Sequence, residues 1–136
     1  MKPTQPRRKF LQQLLALPLL GHAPSLAAGT PVDYELNVFP VAGFMFHEGP
    51  QLLERLRPGD RLALVAEPGN RHDARAIRIE AFGRHIGYVP RSENGPLSRL
   101  LAQGATLHAR VADVQSQGAP WQTVNVAVSL RVSRLG

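Results

Sequence analysis

The sequence of 136 residues contains no cysteine, and this absence excludes several kinds of chemistry at once. Disulfide bonds, thiolate metal sites, cysteine nucleophiles and the thioether lipid anchor of bacterial lipoproteins all need a cysteine sulfur. Aromatic residues are scarce as well, at 6%, so any surface on which bases could stack is small. The redox environment of the protein therefore has to be inferred from other features.

Sequence motifs of common enzymes are also missing. There is no G-x-x-x-x-G-K-[ST] phosphate loop, no H-E-x-x-H zinc motif and no G-x-S-x-G nucleophile elbow. No pair of histidines has the spacing of a known zinc site. We therefore expect a protein that is not an enzyme and that has neither a metal site nor a cofactor. A hydrolase that uses His72 and Asp73 beside His85 stays open as a third interpretation.

The positive charge is distributed unevenly along the chain. Four of the 16 Lys and Arg residues lie in the first nine positions, and without that segment the net charge falls from +6 to +2. The overall charge is therefore weak evidence for binding to a polyanion. Residues 55–91 nevertheless carry eight arginines against four acidic residues, so the remaining excess is concentrated in one part of the chain.

Residues 1–27 have the composition of a signal peptide. A basic segment (1–9) precedes a short leucine-rich run (10–20) and a segment of small residues that ends at Ala27. The apolar run is too short to cross the roughly 30 Å hydrocarbon core of a membrane. The R-R-x-F-L sequence at residues 7–11 resembles the twin-arginine motif of proteins that are exported in the folded state.

From this segment we expect cleavage after Ala27 and a periplasmic or other extracytoplasmic location, with no stable membrane span in the mature protein. The general secretory route and an amphipathic N-terminal helix of a cytosolic protein are the alternatives. Residues 28–35 are expected to form a short linker, and residues 36–136 the folded domain. With 43% apolar residues, a chain of this length can bury the core of one domain.

Frequent glycine and proline after residue 29 divide the rest of the chain into short segments, which favours strands over long helices. Alternating apolar residues from Val124 to Val132 predict a half-buried strand. Residues 106–116 are its expected antiparallel neighbour, across a turn at 116–120. The other predicted strands are 35–46, 61–67, 75–81 and 84–90.

Two short helices are predicted from leucine patterns that follow Pro50 and Pro96. They cover residues 51–57 and 97–103, and both must pack on the sheet because helices of this length are unstable alone. Six short strands with two small helices indicate a mainly β fold, a compact barrel.

Two linked motifs resemble a known family. Residues 64–79 read L-V-x-E-P-x-N-x-[YH]-D-x-x-A-I-x-[VI], and I-G-Y-V-P-R follows at 86–91. Together they resemble the HIRAN domain, which is best known from helicase-like DNA remodellers and also occurs as a lone module in bacteria. The resemblance implies a six-stranded barrel related to the OB-fold. It also implies nucleic-acid binding, which in eukaryotic members is to the 3′ end of single-stranded DNA.

The resemblance assigns candidate roles to individual residues. It implies that His72 stacks on the terminal base and that Asp73 meets the free 3′-hydroxyl. The family's aromatic residue before the first-strand glycine has no counterpart here, and Phe39 or Phe44 is the candidate replacement. The implied nucleic-acid contacts are Arg71, His72, Asp73, Tyr88, Arg91 and Phe39. The residues expected to shape the motif are Glu67, Pro68, Asn70, Ala76, Ile77 and Gly87.

Structural roles compete with ligand binding at several of these positions. Asn70 and Asp73 follow a Pro-Gly pair and are equally suited to bond their own backbone as turn residues. Glu67 can simply pair with an arginine, and Tyr88 can lie in the core with its hydroxyl at the rim. The alternative function is an exported module that binds protein partners in the cell envelope and has lost DNA binding.

The signal-peptide interpretation predicts that the mature protein begins at Ala28. Mass spectrometry of protein recovered from the envelope fraction would measure this directly. A chain that retains Met1 and stays in the cytosol would contradict the prediction.

Overall fold

The computed structural model describes residues 28–115, 117 and 123–135. The expected signal peptide and most of the turn expected at 116–120 lie outside these residues. The chain divides into two compact units, one within residues 1–32 and 133–136 and the other Asp33–Val132. Both the core and the candidate site lie within the larger unit.

The described residues form six strands and three short helical segments. The strands are β1 (Ala28–Pro40), β2 (Arg61–Ala66), β3 (Ile77–Ala81), β4 (Arg84–Tyr88), β5 (Thr106–Val114) and β6 (Val124–Leu135). The α-helices are α1 (Gly49–Leu52) and α2 (Arg91–Ala102), and a 3-10 turn covers Phe44–Phe46.

The six strands form one sheet in the order β1-β6-β5-β2-β3-β4. The pairs β2–β3, β2–β5, β3–β4 and β5–β6 are all antiparallel. The β3–β4 hairpin turns at Phe82 and Gly83, both of which have positive φ. The prediction of a mainly β, six-stranded OB-like fold with two helices is confirmed.

The core forms because apolar residues alternate along the strands and place one face inside. In β6, Val124, Val126 and Val128 are completely buried. Leu52 of α1 and Leu97 of α2 pack into the same cluster. Each such side chain contributes about 1.5–3 kcal/mol when fully buried, so the short helices are stabilised by the sheet rather than by their own propensity.

The two residues after the edge strand β1 link β6 to the other edge strand, β4. The Val41 N–H donates to the Val124 carbonyl of β6 at 2.9 Å, while the Ala42 N–H donates to the Tyr88 carbonyl of β4 at 2.8 Å. The Tyr88 N–H returns a bond to the Ala42 carbonyl at 2.9 Å. The sheet thus curls toward a barrel and is joined at this point by a single two-residue bridge.

Gly87 makes this close approach possible. Its φ is +150°, and a Cβ there would lie 2.5 Å from the Ala42 carbonyl oxygen and closer still to Cγ1 of Val41. A side chain at this position would therefore collide with the bridge and strain the backbone. The expectation that Gly87 shapes the motif thus has a physical reason in the closure of the sheet.

The first predicted strand differs from the observed one. Residues 28–35, expected to be a linker, belong to β1, which begins at Ala28 and ends at Pro40. The chain then turns at Gly43 into the 3-10 segment, so the predicted strand at 35–46 is too long at its C-terminal end. The left-handed conformation of Gly43 (φ 73°) ends the extended chain, and Phe44 is the buried residue of the 3-10 segment.

Both helices also have bounds that differ from the prediction. The α1 helix stops at Leu52, although Leu56 still donates its N–H to the Leu52 carbonyl at 3.1 Å. The α2 helix begins at Arg91, so Pro96 lies inside it rather than at its start. Among the described residues, no helix is long and apolar enough to cross a membrane.

We predict that Gly87→Ala destabilises the protein strongly. Overpacking costs about 1–3 kcal/mol and the unfavourable φ a similar amount, and each 1 kcal/mol lowers the Tm of a domain this size by about 4–8 °C. Thermal unfolding followed by circular dichroism measures the effect. Gly69→Ala is the control, because a Cβ at Gly69 meets no atom within 4 Å. Equal Tm values for the two variants would contradict the closure argument.

Candidate functional site

An open cleft of about 430 Å³ lies beside the bridge between Ala42 and Tyr88. Its walls come from the chain after β1, the loop between β2 and β3, the end of β4 and the start of α2. The lining residues are Ala42, Gly43, His47, Asn70, His72, Asp73, Ala76, Tyr88, Val89, Arg91 and Asn94. A second, more open depression adjoins it and adds Glu67, Gly69 and Arg71.

The loop of residues 67–76 is shaped by the side chain of Asn70. Its Oδ1 accepts the backbone N–H groups of His72 at 2.9 Å and of Asp73 at 3.2 Å. Its Nδ2 donates to Glu67 Oε1 at 3.1 Å. Asparagine is favoured in such turns because its side chain can bond to nearby backbone groups. Asn70 therefore holds the loop in the shape that presents His72 and Asp73 to the cleft.

The carboxylate of Asp73 is fixed by three neighbours. Its Oδ1 accepts the Arg75 N–H at 2.9 Å, and its Oδ2 accepts Asn94 Nδ2 at 2.8 Å. The guanidinium of Arg91 lies 3.8 Å from Oδ2. The backbone bond from Arg75, the amide of Asn94 and the nearby positive charges together lower the pKa of Asp73 below its usual value, against a smaller opposing effect of burial. The group is therefore ionised and held in place.

Arginine side chains lie along the rim of the cleft. Arg91 donates from Nη2 to the His72 carbonyl at 3.1 Å, yet its side chain is 73% exposed. Arg71 is exposed on the adjoining depression. A guanidinium has five N–H donors, so Arg91 keeps donors available for a ligand after it has bonded to the loop.

Tyr88 connects the loop to the sheet. Burial and then a hydrogen bond to Glu67 raise the pKa of its phenol. Burial opposes ionisation of Glu67, but bonds from Asn70 and Tyr88 and the charge of Arg78 outweigh it and lower the pKa of that carboxyl. Arg78 lies 3.4 Å from Glu67. The expected pairing of Glu67 with an arginine is thus observed.

Two histidines extend the ring surface of Tyr88. The rings of His47 and His85 are stacked with centroids 4.0 Å apart, and the His85 ring meets Tyr88 edge-on at 4.9 Å. Burial, followed by the neighbouring charge of His85, lowers the pKa of His47. His47 and Tyr88 both line the cleft, whereas His85 does not line it and packs against both of these rings.

The structure brings five of the six expected contact residues together. Arg71, His72, Asp73, Tyr88 and Arg91 all line the cleft or the adjoining depression. Phe39 does not join them, because it is only 3% exposed and belongs to the core. Phe44, the other candidate, is buried as well. Because both side chains are buried, neither Phe39 nor Phe44 can replace the family's aromatic residue at the surface, and that expectation is wrong.

The expected motif-shaping residues have distinct positions. Ala76 and Ile77 are buried at the start of β3, and the Ala76 carbonyl accepts the Glu67 N–H across the loop at 2.9 Å. Pro68 is exposed and precedes the turn.

Sequence reasoning missed three residues of this region. Asn94 is 3% exposed and orients Asp73 from α2, yet a helical asparagine carries no sequence signal of that role. His47 lies far from the motif residues in the sequence, and folding brings it to the wall of the cleft. Phe46, the residue before His47 in the chain, is 88% exposed, and no sequence pattern indicates this exposure.

In the described part of the chain, no group of three or more His, Asp or Glu side chains could hold a metal ion. The four histidines that this part contains therefore do not assemble a metal centre. Two of them stack instead on each other, as described above.

Comparison with known proteins identifies the family of this chain. The family model of the HIRAN domain matches residues 34–133. The chain belongs to the HIRAN domain family. No curated protein sequence matches it.

Solved structures agree with the HIRAN fold. A crystal structure of a protein from Lactobacillus plantarum is similar with a TM-score of 0.66 and 25% identity, over 75% of this chain and 98% of that one. The crystal structure of the HIRAN domain of human HLTF is similar with a TM-score of 0.58 and 19% identity, over 74% of this chain and 78% of that one. At 19% identity the second comparison supports the fold alone.

We predict that Asn94→Ala raises the pKa of Asp73 toward the usual value of about 3.9, because the charged form loses a hydrogen bond. The stabilisation from Asp73 is complete above that pH and is lost as the pH falls through the lowered folded-state pKa. Carbon-13 NMR of the Asp73 carboxyl group measures the change. Asn125→Ala, which removes a similar bond to Asp113, is the control and leaves the Asp73 titration unchanged. An unaltered Asp73 pKa in Asn94→Ala would refute the assignment.

Proposed function

We propose that this HIRAN domain binds single-stranded nucleic acid and receives its 3′ end in the cleft beside Tyr88. The observation that carries the proposal is the convergence of Arg71, His72, Asp73, Tyr88 and Arg91 on one open site. These residues come from separate segments of the chain, and family membership supports a nucleic-acid-binding module. The family model covers the whole of this region.

Asp73 is the group suited to a terminal hydroxyl. An ionised carboxylate offers about four acceptor positions, and the bonds from Arg75 and Asn94 use two of them. A 3′-hydroxyl can donate to a remaining position, whereas a 3′-phosphate would bring negative charge against the carboxylate. The fixed negative charge therefore favours an unmodified 3′ end.

The rings beside the cleft supply a stacking surface. Tyr88, His47 and His72 line the cleft, and His72 is exposed on the loop. Phe46, which precedes His47 in the chain, is an exposed ring as well. Stacking of a base on an aromatic side chain contributes about 1–3 kcal/mol. With few rings in the sequence, we infer that the site holds only a few terminal nucleotides.

The arginines at the rim are placed to contact the phosphates that follow the terminal nucleoside. Arg91 lies next to Asp73, and Arg71 lies on the adjoining depression. Phosphate contacts of this kind release counterions, so that affinity falls as the salt concentration rises. We propose that the domain acts by binding alone, without catalysis.

We predict that Asp73→Asn abolishes the preference for a free 3′-hydroxyl over a 3′-phosphate. The wild-type protein is expected to prefer the free end by about tenfold or more, since a hydrogen bond to a charged group contributes about 1.5–3 kcal/mol. Fluorescence anisotropy with short labelled strands that differ only at the 3′ end measures this ratio. Because the ratio is internal to each variant, a modest loss of stability does not affect it.

Asp113→Asn is the matched control for this experiment. It makes the same charge change on an exposed position of β5, where Asp113 bonds to Asn125, and it should leave the preference intact. Wild-type protein that is folded by circular dichroism but binds neither strand at low salt would overturn the proposal. The search for a ligand would then turn to protein partners in the envelope.

We further propose that residues 1–27 direct export, so that the domain meets its ligand outside the cytoplasm. The order of the basic, apolar and small-residue segments supports this location.

A further inference from the structure

A separate depression of about 160 Å³ lies on the sheet. It shares no lining residue with the cleft or with the depression beside the cleft, and it is rich in arginine. Arg61 of β2 and Arg110 of β5 are directly opposite each other in the strand register. Arg131 and Ser129 of β6 and His108 of β5 line the same depression, and His108 is opposite Ser129. Since opposed residues of antiparallel strands point to the same face, three strands place these side chains on one surface.

The positive charge of this surface is only partly balanced. Asp33 is its single acidic lining residue, and both its oxygens accept bonds from Arg131, at 2.7 and 2.8 Å. Among the described residues, the guanidiniums of Arg61 and Arg110 have no hydrogen-bond or ion-pair partner. The charge of Arg110 also interacts with Asp33, but one carboxylate does not balance three arginines. Like charges directly opposite each other in a sheet are destabilising, so an additional anion would stabilise the pair of Arg61 and Arg110.

His108 lies on the same face of the sheet, opposite Ser129, and lines the depression. Its Nε2 is buried, so this atom is not itself a contact for an anion in the depression. An oxyanion there would neutralise the two opposed arginines.

We propose that the surface formed by Arg61, His108, Arg110 and Arg131 is a phosphate-binding site. Planar guanidinium groups recognise phosphate through paired N–H donors. A volume of about 160 Å³ is several times the roughly 30 Å³ that one water occupies, enough for a hydrated tetrahedral anion. The site shares no lining residue with the cleft, and the inference does not rest on the proposed function.

Titration of the purified protein with inorganic phosphate, at ionic strength held constant with sodium chloride, tests the proposal. Backbone amide NMR shifts report the binding, and constant ionic strength separates a site from general screening. We expect saturable shifts centred on β2 and β5 around Arg61 and Arg110. Arg61→Gln should weaken phosphate binding by about tenfold or more. Its Tm without phosphate should stay equal to or above the wild-type value, because the repulsion is relieved.

Arg99→Gln is the charge-matched control, because Arg99 is exposed on α2 and lines neither this arginine-rich depression nor the cleft. It should bind phosphate like the wild-type protein. If Arg61→Gln fails to fold, Arg110→Gln makes the same measurement from the opposite strand. Shifts that do not saturate, or equal affinities of the Arg99 and depression variants, would overturn the proposal.

A final comparison distinguishes the source of the phosphate. A single-stranded oligonucleotide without terminal phosphates is added to the phosphate-saturated protein. Reversal of the shifts at β2 and β5 identifies a phosphodiester of nucleic acid as the anion that the site accepts. Shifts that persist while the cleft residues respond identify a free phosphate or phosphomonoester. Both results presuppose the saturable phosphate binding on which the proposal depends.

Discussion

The reciprocal pair of backbone hydrogen bonds between Ala42 and Tyr88 is the constraint on which the rest of the structure depends. It links the chain after β1 to β4, while Val41 in the same short segment bonds to β6. Two residues thereby link β6 to the edge strand β4 of a curled sheet, and only a glycine at position 87 leaves room for the contact. The candidate cleft lies directly beside this bridge, and both bridge residues line it, so closure of the sheet positions one wall of the site.

Asp73 shows how a turn residue can also be placed at a candidate binding site. Asn70 shapes the loop from within, while Asn94 reaches Asp73 from a helix that follows β4. The competing interpretations of Asp73, as a loop clamp or as a ligand contact, are therefore compatible. One carboxylate can hold the loop with two acceptor positions and present the others to a ligand.

Much of the fold could be predicted from the sequence, because strand alternation and turn residues act locally. The β3–β4 hairpin and the buried valines of β6 are examples. The start of α2 was harder to predict. The helix begins at Arg91 and contains Pro96, because the packing of Leu97 against the sheet outweighs the backbone hydrogen bond that Pro96 cannot donate. Likewise, nothing local distinguishes Phe39, which is buried, from Phe46, which is exposed.

The candidate site was predictable only where a residue belonged to a motif. His72, Asp73 and Tyr88 were found in this way, whereas Asn94 and His47 reach the cleft through tertiary packing that no short pattern records. The sequence shows that Arg61 and Arg110 are charged, but it does not show that the pairing of β2 with β5 places them directly opposite each other.

The mutual bonding of Ala42 and Tyr88 has a consequence for the dynamics of the domain. Each amide hydrogen is protected by the carbonyl of the other residue, so a fluctuation that releases one releases both. Their exchange with solvent deuterium would therefore follow a common opening free energy, as in a cooperative local unfolding unit. A ligand seated in the cleft holds that unit shut, and the slowing of exchange at these two amides would report occupancy from the backbone alone.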